Sequence, residues 1–248
     1  MKNIGKNPEK DQLFAAQREN IAPFSFDQNV ADVFPDMINR SVPGYQKIIS
    51  TIPEIIASHL KNTSIIYDIG CSLGATSLAI AKRFNQSSIQ IKALDYSEAM
   101  VERCKKNISA WNFNHHIEVI YADVTKVTIA PCDAIIMNFT LQFISPNLRQ
   151  DVIDKLYSAL NPGGILVVSE KLSFKDTLVN NKLIEIHHEF KRQNGYSDLE
   201  ISQKRTALEN VMITDNQDGH YARFKQAGFS HYASWYQNLN FASMFAIK

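Results

Sequence analysis

The sequence predicts an α/β protein built on a doubly wound, mostly parallel sheet, with a helical insertion before its last strands. Three observations predict it. Short apolar runs alternate with helical repeats from Ser64 to Ser169, a glycine-bearing turn (Gly70–Gly74) follows the first run, and the chain closes on two aromatic-rich runs, His231–Gln237 and Leu239–Ile247. Alternation at this short spacing marks parallel strands joined by crossover helices.

Residues 1–41 read as an N-terminal extension, polar but carrying Phe14, Phe24, Phe26 and Phe34 and prolines at 23 and 35. Such a segment orders by contact with something else. The α/β domain is expected to span 42–248. Between Pro43 and Leu60, the residues Ile48, Ile49, Ile52, Ile55, Ile56 and Leu60 fall at helical spacing. Ser64–Asp68 then reads as a buried strand, Ala75–Phe84 as a helix and Ile89–Asp95 as the second strand. Ser97 is placed to cap the next helix, with Glu98 in its first turn. Met100, Cys104, Ile108 and Trp111 mark one apolar face of that helix. Ile117–Asp123 and Cys132–Asn138 are the third and fourth strands. Ser145-Pro146 opens a helix by N-cap and N1 chemistry; that helix stops at Asn161–Gly164, before the fifth strand, Ile165–Ser169. Residues 175–212 read as helical and form the insertion. A last helix, from about Gly219, ends at Gly228 in position for a left-handed cap.

Composition excludes several classes. With 26 Lys+Arg against 25 Asp+Glu and 45% hydrophobic residues among 248, the chain is an ordinary globular one. No apolar run approaches the ~18 residues of a membrane span, and the first 18 residues lack the apolar stretch of a signal peptide. A protein that grips nucleic acid by its phosphates shows a basic excess; here Lys105-Lys106, Lys191-Arg192 and Lys204-Arg205 read as solvated helix faces. Three scattered cysteines without a Cys-x-x-Cys argue against a disulfide framework or a zinc site. The cytoplasm is the expected compartment, and no metal is expected.

In a sheet of this kind the ligand lies beyond the carboxyl ends of the strands, where strand order reverses. The Gly70–Gly74 turn, Asp95, Asp123 and Asn138 occupy those ends in series. A dinucleotide fingerprint needs glycine at 72 and 75, and the chain has Ser72 and Ala75. No P-loop is present. A ligand with an adenosine and no phosphates fits better. Asp95 follows the turn near the spacing of about 20 residues at which an acid takes ribose hydroxyls. Singly, Asp95, Asp123 and Asn138 each read as strand-end turn formers; together with the glycine turn they read as a nucleoside site. Cys71 reads as a small buried thiol rather than a nucleophile. His187 and His188 are adjacent on a helix and point apart, so they do not chelate one metal together.

The segment Asp68–Gly74 (DIGCSLG), with the later acids, resembles class I S-adenosyl-L-methionine (SAM)-dependent methyltransferases over roughly residues 42–248. The resemblance implies a seven-stranded sheet whose end is an antiparallel hairpin strand. It implies that Gly70, Cys71 and Ser72 contact the methionine part of SAM, Asp95 and Tyr96 the ribose, Asp123 and Val124 the adenine, and Asn138 the region near the sulfonium. Ser72 departs from the family's usual glycine. Asn138-Phe139-Thr140 lacks the prolines of the Asn-Pro-Pro-aromatic signature of amino-group methyltransferases.

A narrower resemblance runs from about Phe24 onward. VFPDMINRSVPGY (Val33–Tyr45), NFTLQF (Asn138–Phe143), NPGG (Asn161–Gly164), HHEFKRQNGYS (His187–Ser197), EISQKR (Glu200–Arg205) and LENV (Leu208–Val211) are similar to the carboxy-S-adenosyl-L-methionine synthases, a family of bacterial tRNA wobble-uridine modification. That resemblance implies transfer of CO2 from prephenate to the sulfonium methyl carbon of SAM, leaving phenylpyruvate. It implies Tyr45 as a ligand contact and Arg205 as the clamp on the new carboxylate, supplied across a homodimer interface. Read without it, Arg205 is a helix-surface charge. The competing readings are a conventional SAM-dependent methyltransferase acting on tRNA or a small metabolite, and a SAM-binding partner subunit without turnover.

Overall fold

Strand β1 (Ile65–Ile69) alternates sides: Ile66 packs under one face of the sheet, Tyr67 and Ile69 under the other. A strand covered by helices on both faces is apolar on both, and the same alternation runs through β4 (Cys132–Asn138) and β5 (Leu160–Lys171). The computed structural model describes residues 10–61 and 63–248; residues 1–9 of the expected extension lie outside the described residues.

The remaining strands are β2 (Gln90–Asp95), β3 (Ile117–Tyr121), β6 (His231–Asn238) and β7 (Phe241–Ile247). The sheet has seven strands in the order β3-β2-β1-β4-β5-β7-β6, parallel except for β7, which runs antiparallel between β5 and β6. Helices α2 (Tyr45–Ala57), α3 (Ala75–Arg83) and α4 (Glu98–Ala110) cover one face; α5 (Arg149–Ala159) and α8 (Gln217–Ala227) cover the other. The insertion is two helices, α6 (Thr177–Gln193) and α7 (Asp198–Leu208), parted at Gly195, whose φ is +83°. Gly228 takes the left-handed cap, at φ +111°.

Four expectations are corrected. The extension contains a helix, α1 (Gln28–Ser41), despite Pro35 inside it; Asp27 caps it by accepting from Val30 N at 3.0 Å. Trp111 is exposed, just past the end of α4, with the Lys82 ammonium over its ring. Ser145 does not cap α5: its hydroxyl donates to Asn147, and a 3-10 turn, Pro146–Leu148, leads into the helix. Residues 161–164 belong to β5 rather than to a loop before it.

Register positions the site. Ile69 lies opposite both Leu94 and Met137, Asp95 opposite Tyr121, and Asn138 opposite Ser169. The carboxyl ends of β1, β2, β3, β4 and β5 therefore meet at one edge. Strand order reverses beside β1, and the crevice opens there. Val30, Val33 and Met37 of α1 pack on Leu73 and Met100, so the extension lies across that edge.

Candidate active site

Beyond the strand ends lies a cavity of about 790 Å3. Its lining includes Tyr45, Gly70, Cys71, Ser72, Asp95, Tyr96, Asp123, Val124, Asn138 and Arg205. All ten candidate ligand contacts therefore line one volume.

The turn after β1 is built from backbone. Gly70 N and Cys71 N donate to Leu94 O at 2.8 and 2.9 Å, and Gly74 N donates to Cys71 O at 2.8 Å. Gly70 has φ +71°, and a Cβ there would sit 2.2 Å from Thr140 Oγ1. Only glycine serves at this position. Ser72 takes φ +51° without being glycine, and its amide donates to Asp95 Oδ2 at 2.9 Å. Asp68, buried behind the turn, accepts from Ser77 N and Oγ and so caps α3; burial pushes its carboxyl up to about 6 despite those bonds.

Asp95 takes one backbone donor on each oxygen, Ser72 N and Ser97 N, both at 2.9 Å. Burial raises its pKa, and the backbone donors oppose the rise. A carboxylate so held keeps lone pairs for a vicinal diol. Asp123 sits higher on the rim. Partial burial would raise its pKa, but bonds from Thr125 and the Lys126 charge hold it below the usual range. Tyr96 is exposed, and Val124 is buried beside Asp123. Cys71 is a buried free thiol, and its hydrogen bonding with the Cys104 thiol together with burial pushes it well above its ordinary value, the opposite of an activated nucleophile.

Asn138 ends β4, and its Oδ1 is buried without a hydrogen-bond partner among the described residues. A buried amide oxygen left unpaired points to a missing ligand. Phe139, next in line, holds φ +60°. The rings of Tyr45, Phe139 and Phe241 form a wall beyond it, with centroids 6.2 and 6.1 Å apart in succession. The Gly70 cradle and the orphaned Asn138 oxygen fit a nucleoside-bearing sulfonium such as SAM.

A cationic wall adjoins these rings, and sequence reasoning missed most of it. Lys171, His187, His188, Lys191, Lys204 and Arg205 all line the cavity. Lys191 and Lys204 are therefore not on solvated helix faces as expected. Lys204 is buried, donating to Asp11 Oδ2 at 3.5 Å and Ser41 Oγ at 3.2 Å. Desolvation lowers Lys171 and Lys204 to about 8 and Lys191 to about 7; Arg205 adds to the effect on Lys171, and Lys204 and Lys171 to that on Lys191. His187 donates its Nε2 hydrogen to Ser41 O at 2.8 Å, and burial keeps it neutral, with a pKa near 2. Arg205 stands on the exposed rim of its own chain's cavity. A signal for Lys171 existed: it ends β5, as Asp95 and Asn138 end β2 and β4.

Asp11 ties the extension to this wall. It is buried and accepts from Tyr196 Oη at 2.5 Å as well as from Lys204, while Gln203 Nε2 donates to Phe14 O and Ala16 O at 2.9 Å. Residues 11–24 thus lie along α7.

A methyltransferase-domain family matches residues 66–164. The chain is 50% identical over 246 residues to a protein of Vibrio campbellii named carboxy-S-adenosyl-L-methionine synthase, covering 99% of this chain and 100% of that one. A protein of the same name from Citrobacter koseri is 48% identical over 239 residues, covering 96% and 97%. Among solved structures, an O-methyltransferase family protein of Burkholderia thailandensis superposes with a TM-score of 0.64 at 12% identity, covering 90% of this chain and 60% of that one. That last likeness concerns the fold.

Proposed function

The chain belongs to the carboxy-S-adenosyl-L-methionine synthase family, and from that premise we propose that it carboxylates SAM at the sulfonium methyl carbon, with prephenate as the CO2 source and phenylpyruvate as the second product. The observation that carries this reading is the cationic wall, which lines the same cavity as the orphaned Asn138 oxygen. A methyl transferred to a neutral acceptor needs no such wall. A new carboxylate and an anionic co-substrate do.

Asp95 takes the ribose hydroxyls, the Gly70–Ser72 turn the methionine part, Asp123 and Val124 the adenine, and Asn138 the sulfonium end. The positive sulfur acidifies its methyl group. Prephenate that loses CO2 and hydroxide becomes phenylpyruvate, the hydroxide removes a methyl proton as water, and the carbanion takes the CO2, so atoms and charge balance. Arg205 pairs with the carboxylate that forms, a task for which a planar two-pronged guanidinium suits better than an ammonium.

The product serves as carboxymethyl donor for a separate enzyme of tRNA wobble-uridine modification in the cytoplasm. A net charge of +1 supports a protein that does not itself hold tRNA. No described helix is long and apolar enough to cross a membrane. We further propose a homodimer, which Leu178, Val179 and Ile186, exposed along α6, support. Arg205, exposed on the neighbouring α7, would then reach a partner's cavity as well as its own.

Mass spectrometry of the purified protein incubated with SAM and prephenate tests the reading. A product heavier than SAM by one CO2, formed with phenylpyruvate, is expected. S-adenosylhomocysteine alone would replace carboxylation by ordinary methyl transfer.

A further inference from the structure

The cationic wall holds more charge than one product carboxylate requires. Of its four permanent or potential cations from lysine and arginine, Lys204 is matched by Asp11. Lys171, Lys191 and Arg205 form no ion pair among the described residues. Ammonium groups drawn out of water without a counter-ion are costly, and two of them sharing a cavity wall repel each other. A group of bound anions relieves both costs.

Position separates the two lysines from Arg205. Lys171 ends β5 opposite Phe241, its Nζ 5.8 Å from that ring's centroid. Lys191 stands one turn beyond His187, whose ring meets Phe241 edge-on at 4.9 Å. Both lysines therefore border the aromatic wall of Tyr45, Phe139 and Phe241. Asn240 joins them: it lines the cavity, is 2% exposed, and its Oδ1 is buried without a partner. Leu172 N donates to Asn240 O, which fixes this residue beside Lys171. Two unmatched ammonium groups, an unpaired buried amide and an aromatic wall make a second subsite within the cavity.

Chemistry decides which carboxylate this subsite takes. A carboxylate that departs as neutral CO2 loses its charge in the transition state, so a cation holding it would stabilise the ground state and slow the step. Cations belong on the carboxylate that stays. We infer that Lys171 and Lys191 hold the carboxylate that the co-substrate keeps, turning the departing one toward Tyr45, Phe139 and Phe241, next to Asn138. The inference rests on carboxylation with prephenate as donor and adds the residues that select and orient it.

Kinetics of Lys171→Met, Lys191→Met and the matching Lys→Arg variants, with product analysis, test it. Each methionine variant should raise the KM for prephenate roughly 10- to 100-fold, the worth of a charge-assisted hydrogen bond. Inhibition by added phenylpyruvate, which retains only the carboxylate in question, should weaken by the same factor. SAM affinity by calorimetry should stay within threefold, and arginine should restore most of the loss. Phenylpyruvate inhibition unchanged while prephenate KM rises would place the lysines on the departing carboxylate and overturn the assignment. Equal loss of SAM affinity, or no change in KM, would overturn it too. If the unaltered protein forms no carboxylated product, the underlying reading fails instead, a result the variants do not affect.

Discussion

The nucleoside end and the cationic end of the cavity share one volume and are built in opposite ways. At the nucleoside end, the ligand-facing groups are a backbone turn and short side chains at strand ends, tied to neighbours on the same or the next strand: Ser72 N to Asp95, Gly70 N to Leu94 O. At the cationic end they are long side chains, Lys171 at the end of β5 and the others on helices of the insertion, and the one that is paired finds its partner far off in the chain: Lys204 meets an aspartate 193 positions away. A cradle made of strand-end backbone is rigid because the sheet is rigid. A wall of unmatched lysines is incomplete until an anion arrives. The difference separates a site that recognises shape from one that recognises charge.

The largest expected effect strikes the rigid half. Gly70→Ala places a methyl against Thr140 on a backbone at φ +71°, and SAM affinity measured by calorimetry should fall by more than about 100-fold, the joint cost of strain and overpacking. Binding within threefold of the original would remove the rigid-cradle side of the contrast. Next, Arg205→Ala should abolish retention of the carboxylated product, a loss of roughly 10- to 100-fold, while SAM binding stays measurable. SAM lost to the same degree would show that the two halves are not separable.

Asp11→Asn sharpens the contrast from the side of stability. It leaves Lys204 buried without its countercharge and should cost about 3 kcal/mol in chemical denaturation. The nucleoside turn makes no contact with Asp11, so SAM affinity should barely move once the folded fraction is allowed for. The smallest effect is that of pH. Lys191 and Lys171, lowered to about 7 and about 8, face Lys204, Arg205, His187, His188 and Asp11. They carry charge below those values and lose it above them. The KM for an anionic co-substrate should therefore rise several-fold as pH climbs from 6.5 to 9, most steeply between 7 and 8. Anion-free protein should show the reverse in thermal unfolding: a lysine whose folded pKa is depressed binds protons less tightly than its unfolded form, so stability grows from about pH 7 toward 10. A flat KM profile would detach the lysines from substrate recognition.

The same division governs what the sequence makes legible. The strands and the residues at their carboxyl ends show in local patterns: apolar runs of strand length, a turn with glycines, acids at the following ends. Asp95, Asp123 and Asn138 need only the rule that ligands sit at those ends. Helix α1 stays hidden because Pro35 interrupts its repeat, although Asp27 stands three residues before Val30 as a cap should. Lys191 and Lys204 read as solvated because charged helix residues ordinarily are; the burial of Lys204 depends on Asp11 and Ser41, 193 and 163 positions away. Trp111 continues the apolar spacing of α4 but falls one residue beyond its end, where it stays exposed with only the Lys82 ammonium set over its ring among the described cations.

The strap that Asp11, Phe14 and Ala16 make with α7 also sets a timetable. At roughly 5–20 residues per second of synthesis, Asp11 leaves the ribosome on the order of 10–40 s before Lys204. Once Asn138 has emerged, β1 to β4 and their turn are available to fold, with Leu73 and Met100 there for Phe24 and Phe26, while Gln203 is not yet there to hold Phe14. The active cavity is thus completed late, by α7 and then by Phe241, and a ribosome stalled before α7 holds a chain with the nucleoside turn and without Lys204 and Arg205.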